Sequence, residues 1–327
     1  MLVRIRTAPR LLHAPRPSTT TGWLSSAAAA AAPATPADTA TSHDGILRHH
    51  HLHPGRLTSY DEAESLQESI RSDLLAWKGQ KSARGRRGGD DHEPPPRPHL
   101  ISFEAAPTFT LGRRQQNPPP EQMARLRREL RIADDGGRND GGRPTSLTPA
   151  VRKTSRGGLT TYHGPGQMVL WPVLDMRSPL YPGYGVESYA SHLESATQRL
   201  LADLFGIRTY ISRDDPGVWV ATPPGEPERK IAALGVHHRR HVTALGIAVN
   251  ISIPVEGPEE SNPWARFVPC GLDGKLVTSV ANELGDPVPE ATPGRYDVAA
   301  LSRTWAEMFA EGLTDPRRRV FAGSRMG

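Results

Sequence analysis

The sequence predicts a mixed α/β (α+β) domain, and three observations lead there. Apolar residues recur at helical spacings of three and four in separate segments; short apolar runs of strand length lie between them; Gly and Pro punctuate the junctions. Strands and helices interleaved in this way favour one mixed sheet flanked by helices, spanning about 57–315.

In chain order, Tyr60–Trp77 reads as a helix because Ala63, Leu66, Ile70, Leu74 and Trp77 share a face. Leu100–Phe103 and Thr108–Leu111 read as strands, and Gln122–Arg131 as a short, mostly polar helix. Met168–Leu174 is a strand after a Gly/Pro turn. Glu187–Phe205 carries Tyr189, Leu193, Ala196, Leu200 and Leu204 on one helical face, and Gly206 stops it. Gly217–Ala221 and Lys230–His237 form a hairpin across TPPGEPE, Val242–Ile253 is the next strand, and Leu301–Gly312 is a C-terminal helix.

The chain has 327 residues, with 32 Pro and 31 Gly, so parts of it are expected to remain linkers. Residues 1–45 read as a disordered leader. Its first 37 residues hold four Arg and no acidic residue, the profile of a mitochondrial transit peptide leading to the matrix. Two Pro/Gly/Arg-rich insertions are expected near 81–98 and 134–149. Residues 1–60 contain six Arg and two Asp, so most of the formal charge of +5 belongs to the leader and argues only weakly for nucleic acid, which is not expected as a partner. No apolar run is long enough for membrane insertion. The single cysteine, Cys270, rules out an intrachain disulfide and a multi-cysteine metal site. No metal is expected: His49–His51 fall in the leader, and the adjoining His237 and His238 point to opposite sides of a strand, away from His241 as a common partner.

Three stretches carry the chemistry. Arg156–Gln167, RGGLTTYHGPGQ, removes two side chains at Gly157 and Gly158 and then makes a tight turn at 163–166. Such a strand and turn can offer backbone to an extended ligand, but the same residues suit an ordinary Gly-rich loop. Arg229–Gly235, RKIAALG, brings Lys230 into an apolar strand, where a solvated hairpin lysine is the plainer reading. Phe267–Gly271, FVPCG, holds Cys270; a lone cysteine is usually a small buried hydrophobe, but Pro269 and Gly271 also suit a turn that exposes a thiol.

Together, in this order and spacing, the three stretches resemble the lipoyl (octanoyl) transferase family, in its eukaryotic mitochondrial, fungal-like form. HLISFEAAPTFTLGRRQ and DPGVWV extend the likeness to about 57–285, apart from the two insertions. The resemblance implies the fold of the catalytic domains of biotin and lipoate protein ligases. It implies that Cys270 forms an acyl-thioester intermediate and that Lys230 lowers its pKa. It implies an acyl pocket from Arg156, Gly157, Gly158, Leu159, Thr160, Thr161, Tyr162 and His163, from Ala233, Leu234 and Gly235, and from Gly246, Ile247 and Ala248. Where many members have His-Gly, this chain has Leu245-Gly246; that histidine's role is either dispensable here or supplied by another residue, with His163 and His241 the candidates.

The implied reaction moves octanoyl from the phosphopantetheine of an acyl carrier protein to a lysine of a lipoyl domain, in E2 subunits of 2-oxoacid dehydrogenases or the glycine cleavage H protein. It needs no cofactor of its own and suits a monomer. A free thiol has a pKa near 8.5. An ammonium about 4 Å away supplies roughly 4 kcal/mol at an effective dielectric of 20, before desolvation, enough to ionise it. Arg113, Arg114, Arg152, Lys153 and Arg156 are expected to form a basic rim for acidic partner domains. The rival expectations are an ATP-dependent ligase of the same fold, which needs no cysteine, and a non-enzymatic scaffold binding lipoyl-domain proteins.

Overall fold

Strand β9 (Gln167–Val173) shows how the sheet is covered, because both of its faces are buried. Met168 and Leu170 belong to one apolar core, while Val169, Trp171 and Val173 belong to another. A strand sandwiched in this way reads as a continuous apolar run, as QMVLWPV does. The computed structural model describes residues 39–42, 45–85, 94–132, 145–181, 183–268, 274–286 and 294–321.

Before β9 come β1 (Thr39–Ser42), β2 (Arg48–Leu52), α1 (Tyr60–Gly85), β3 (His99–Glu104), β4 (Thr108–Leu111), α2 (Pro120–Leu126), β5 (Leu130–Ile132), β6 (Thr145–Leu147), β7 (Ala150–Lys153) and β8 (Thr160–His163). After it come α3 (Val186–Phe205), β10 (Thr209–Ile211), β11 (Gly217–Val220), β12 (Arg229–Arg239), β13 (Val242–Asn250), β14 (Leu276–Val277), α4 (Val280–Glu283) and α5 (Val298–Thr314). Among the described residues the main sheet runs β1-β2-β3-β9-β13-β12-β11-β10, with β14 beside β12. The β2–β3 and β12–β14 pairs are parallel and the others antiparallel, so the sheet is mixed as expected. A smaller sheet, β7-β4-β8, stands apart from it.

Helices α3 and α5 cover one face of the main sheet through Tyr189, Leu193, Ala196, Leu200, Trp305 and Phe309. Helix α1 covers part of the other through Tyr60, Ala63, Ile70 and Leu74. Leu204, expected on the buried stripe of α3, is about half exposed, and Leu201 is buried in its place. Gly206 ends the helix in the left-handed region, as its position predicts.

Several expectations need correction. His49–His51 do not lie in a formless leader: they form part of β2, where the side chains of His49 and His51 both bond to the Ser102 hydroxyl, at 2.6 and 2.8 Å. Helix α1 runs on through Lys81–Gly85, inside the first expected insertion. The helix expected over Gln122–Arg131 stops at Leu126, and Leu130–Ile132 pairs as β5 with β6, inside the second. The helical spacing failed there because Leu130 and Ile132 alternate as a strand does.

Candidate functional site

The β12–β13 hairpin turns at Arg240–His241, both with positive φ, as a two-residue hairpin connection requires. Its strands then pass beneath a cleft lined by Tyr60, Arg156, Thr161, His163, Trp171, Ala233–Gly235 and Leu245–Ala248, with about 410 Å³ of empty space, open mouth included. Residues far apart in sequence, on α1, β8, β9, β12 and β13 and before β8, thus converge on one hollow.

Close backbone approach makes that convergence possible. A Cβ on Gly246 would lie 2.1 Å from the Leu170 carbonyl oxygen, so this position admits only glycine. Gly235, its ladder partner, leaves room for the stem of Arg156, whose Cδ would lie 3.0 Å from a Cβ there. Arg156 is buried rather than part of a docking rim, because Thr110 engages its guanidinium. Its Nη2 donates to the Thr110 carbonyl at 2.6 Å and its Nε to the hydroxyl at 3.1 Å. Arg152 is exposed but held by Asp61 at 2.6 and 2.7 Å; Arg113, Arg114 and Lys153 are exposed.

Of the four β8 residues, Thr161 and His163 face the cleft and Tyr162 points the other way, into a core with Phe109 and Trp264. Alternation allows no more. Thr160 donates to the Gln115 side chain at 3.0 Å. Gly157, Gly158 and Leu159 do not line the cleft; carbonyls of this stretch accept amides from the 112–114 turn, with Gly158 at positive φ. His241 sits at the hairpin turn outside the cleft, whereas His163 shares the cleft with Leu245. Leu245 itself has φ 61, opposite the stretch of β9 where Pro172 can donate no amide, and its N–H turns to Gln67 Oε1 of α1 at 2.5 Å. Tyr60 and Trp171 are cleft residues that the motifs did not reveal; Tyr60 lies over His163 with ring centroids 5.8 Å apart.

His163 is neutral and its tautomer is set by a chain of amides. Asn250 Nδ2 donates to the Thr278 carbonyl at 2.9 Å, so Asn250 Oδ1 must accept, and it does so from Gln167 Nε2 at 2.9 Å. Gln167 therefore turns Oε1 toward His163 Nδ1, 2.8 Å away, and that nitrogen carries the proton. Burial pushes the imidazole down to about 4, Gln167 opposing and the Arg156 charge assisting.

Lys230 lies along β12, and a bulge decides which way it faces. In the pairing with β11, Ala232 opposes Val218 and Lys230 opposes Trp219, leaving Ile231 as an extra residue. Ile231 and Ala232 both enter the core beneath α3 and α5. Lys230 is thereby turned to the face that Ala233 and Gly235 share, where simple alternation would have opposed it. Its ammonium lies 4.6 Å from the buried Trp219 ring and donates to the Pro216 carbonyl at 3.2 Å. Lys275 lies over the same ring at 4.8 Å and pairs with Asp215 at 2.6 Å. On the other side of Lys230, β14 takes the place of β13, with Val277 opposite Lys230. Cys270 and its neighbours Pro269 and Gly271 lie outside the described residues; β14 begins six residues after the cysteine in sequence.

Residues 87–293 match the family model of the lipoyl protein ligase A/B catalytic domain, and the chain belongs to that family. The probable octanoyltransferase of Schizosaccharomyces pombe is 31% identical over 69% of this chain and 82% of its own length. The human mitochondrial octanoyl-[acyl-carrier-protein]:protein N-octanoyltransferase is 34% identical over 69% of this chain and 80% of its own length. An octanoyltransferase of Rickettsia felis is 42% identical over 40% of this chain; the match spans 58% of that relative's length.

Proposed function

We propose that this protein is an octanoyltransferase that moves an octanoyl group from acyl carrier protein to the lysine of a lipoyl domain through a thioester on Cys270. The observation that carries the reading is the cleft itself. Arg156, Thr161 and His163 line it together with Ala233–Gly235 and Gly246–Ala248, and the bulge at Ile231 turns Lys230 to the same face of β12. Trp171, Leu234, Leu245, Ile247 and Ala248 supply apolar surface for a hydrocarbon chain.

The proposed chemistry is a double displacement. The Cys270 thiolate attacks the donor carbonyl, the carrier thiolate leaves, and the Lys230 ammonium gives it a proton. The acceptor amine then attacks the acyl-enzyme and loses a proton to neutral Lys230, and the Cys270 thiolate leaves as the amide forms. Both groups return to their starting states, and no ATP is consumed. The Arg-rich, acid-free first 37 residues and the mitochondrial human relative support import into the matrix.

Intact-protein mass spectrometry after mixing with octanoyl acyl carrier protein, without ATP, tests the reading. Wild type is expected to gain one octanoyl group, Cys270→Ser none, and Lys230→Ala the same adduct slowly. Transfer that requires ATP and free octanoate, with no adduct on wild type, would instead assign a ligase.

A further inference from the structure

Resting on the reading of Lys230 as the partner of the Cys270 thiol, we infer that Glu194 is a positioning residue acting on Lys230 through the peptide group that joins Pro216 to Gly217. The carbonyl of this group accepts from Lys230 Nζ at 3.2 Å, and its N–H donates to Glu194 Oε1 at 2.8 Å. One planar, conjugated unit thus has an ammonium at its oxygen and a carboxylate at its nitrogen. Each charge polarises the unit in the sense that strengthens the other's hydrogen bond.

The geometry is held rigidly. Gly217 has φ 132, and a Cβ there would meet the Ala232 carbonyl at 2.4 Å, so β12 presses this peptide into place. Glu194, on α3, is 4% exposed, and a buried carboxylate needs compensation. Burial pushes its carboxyl up to about 7; the Gly217 amide and the Lys230 charge pull it back. Coupling between two charges is reciprocal, so the carboxylate favours the Lys230 ammonium as much as Lys230 favours the carboxylate. Among the described residues, Asp215 also feels the Lys230 charge. Asp215, before β11, pairs with Lys275, which also pairs with Glu228, and Arg229 pairs with Glu283 and Glu226. Glu194, on α3, meets the Pro216–Gly217 peptide from the helical layer. The bond lengths limit its separation from Nζ to about 8 Å.

The chain contains five lysines, so the protein labelled with carbon-13 at lysine Cε gives few signals, and Lys230→Arg identifies the one wanted. Glu194→Gln keeps an oxygen for the Gly217 amide but removes the charge. The Lys230 midpoint is expected to fall by about one pH unit, a tenfold change in the ammonium-to-amine ratio; Glu194→Asp restores part of it. In the reciprocal experiment, Lys230→Met with the Glu194 carboxyl carbon observed, the Glu194 midpoint rises by a similar amount. An unmoved midpoint in either experiment overturns the coupling. The pH profile of Cys270 alkylation is followed alongside. If Lys230 moves in Glu194→Gln while that profile stays put, the coupling stands and the pairing of Lys230 with the thiol falls.

Discussion

The two ends of β12 are built on opposite principles. Around Ala233–Gly235 the strand works by omission: Gly235 clears space for Arg156, and Gly246 across the ladder lets β9 and β13 approach closely. Around Lys230 it works by charge, with an ammonium above an indole and a carboxylate behind one peptide group. The first end can be altered only through volume, the second only through electrostatics. One strand thus carries an apolar hollow at one end and a held cation at the other.

Three substitutions sharpen that contrast, from the largest effect to the smallest. Gly246→Ala drives a Cβ against a backbone carbonyl that cannot swing away, and is expected to destabilise by about 3 kcal/mol or more. Denaturant unfolding measures it. Glu194→Gln is expected to change how stability depends on pH. The folded carboxyl is raised from an ordinary 4.5 to about 7, so its contribution is fully present below 4.5 and is lost as pH rises through 7. The amide suffers no such loss. Relative to the variant, wild type should lose about 3 kcal/mol between pH 4 and 8, read from urea midpoints across that range. A flat difference would place the charge of Glu194 elsewhere. Gly235→Ala meets only the flexible stem of Arg156, and about 1 kcal/mol is expected. Equal losses at the two paired glycines would erase the distinction between backbone and side-chain neighbours.

The elements that could be read in the sequence are those whose local pattern and packing agree. Helix α3 announces itself by its apolar stripe and closing glycine, whereas Gly235 and Gly246 entered only through the family resemblance. What escaped depended on distant neighbours. Tyr60 reads as the start of a helix and Trp171 as one more apolar strand residue; only tertiary packing sets them across the cleft from Ala233. The bulge at Ile231 reverses the side-chain parity of Lys230, and no alternation count over RKIAALG reveals it. Glu194 follows Leu193 on a well-formed helix and looks like a solvated acid, yet it is buried against the start of β11. Strand β2 was hidden by a histidine-rich composition that resembles a tail, although its parallel pairing with β3 needs only backbone.

The amide chain from Thr278 through Asn250 and Gln167 to His163 runs in one direction only, because backbone carbonyls can accept but never donate. It leaves Nε2 of His163 as a standing lone pair, and an imidazole that gains its proton only near pH 4 keeps that character at any ordinary acidity. This wall of the hollow therefore keeps one electrical character across ordinary pH, and a response near neutrality falls to groups outside it, Glu194 among them.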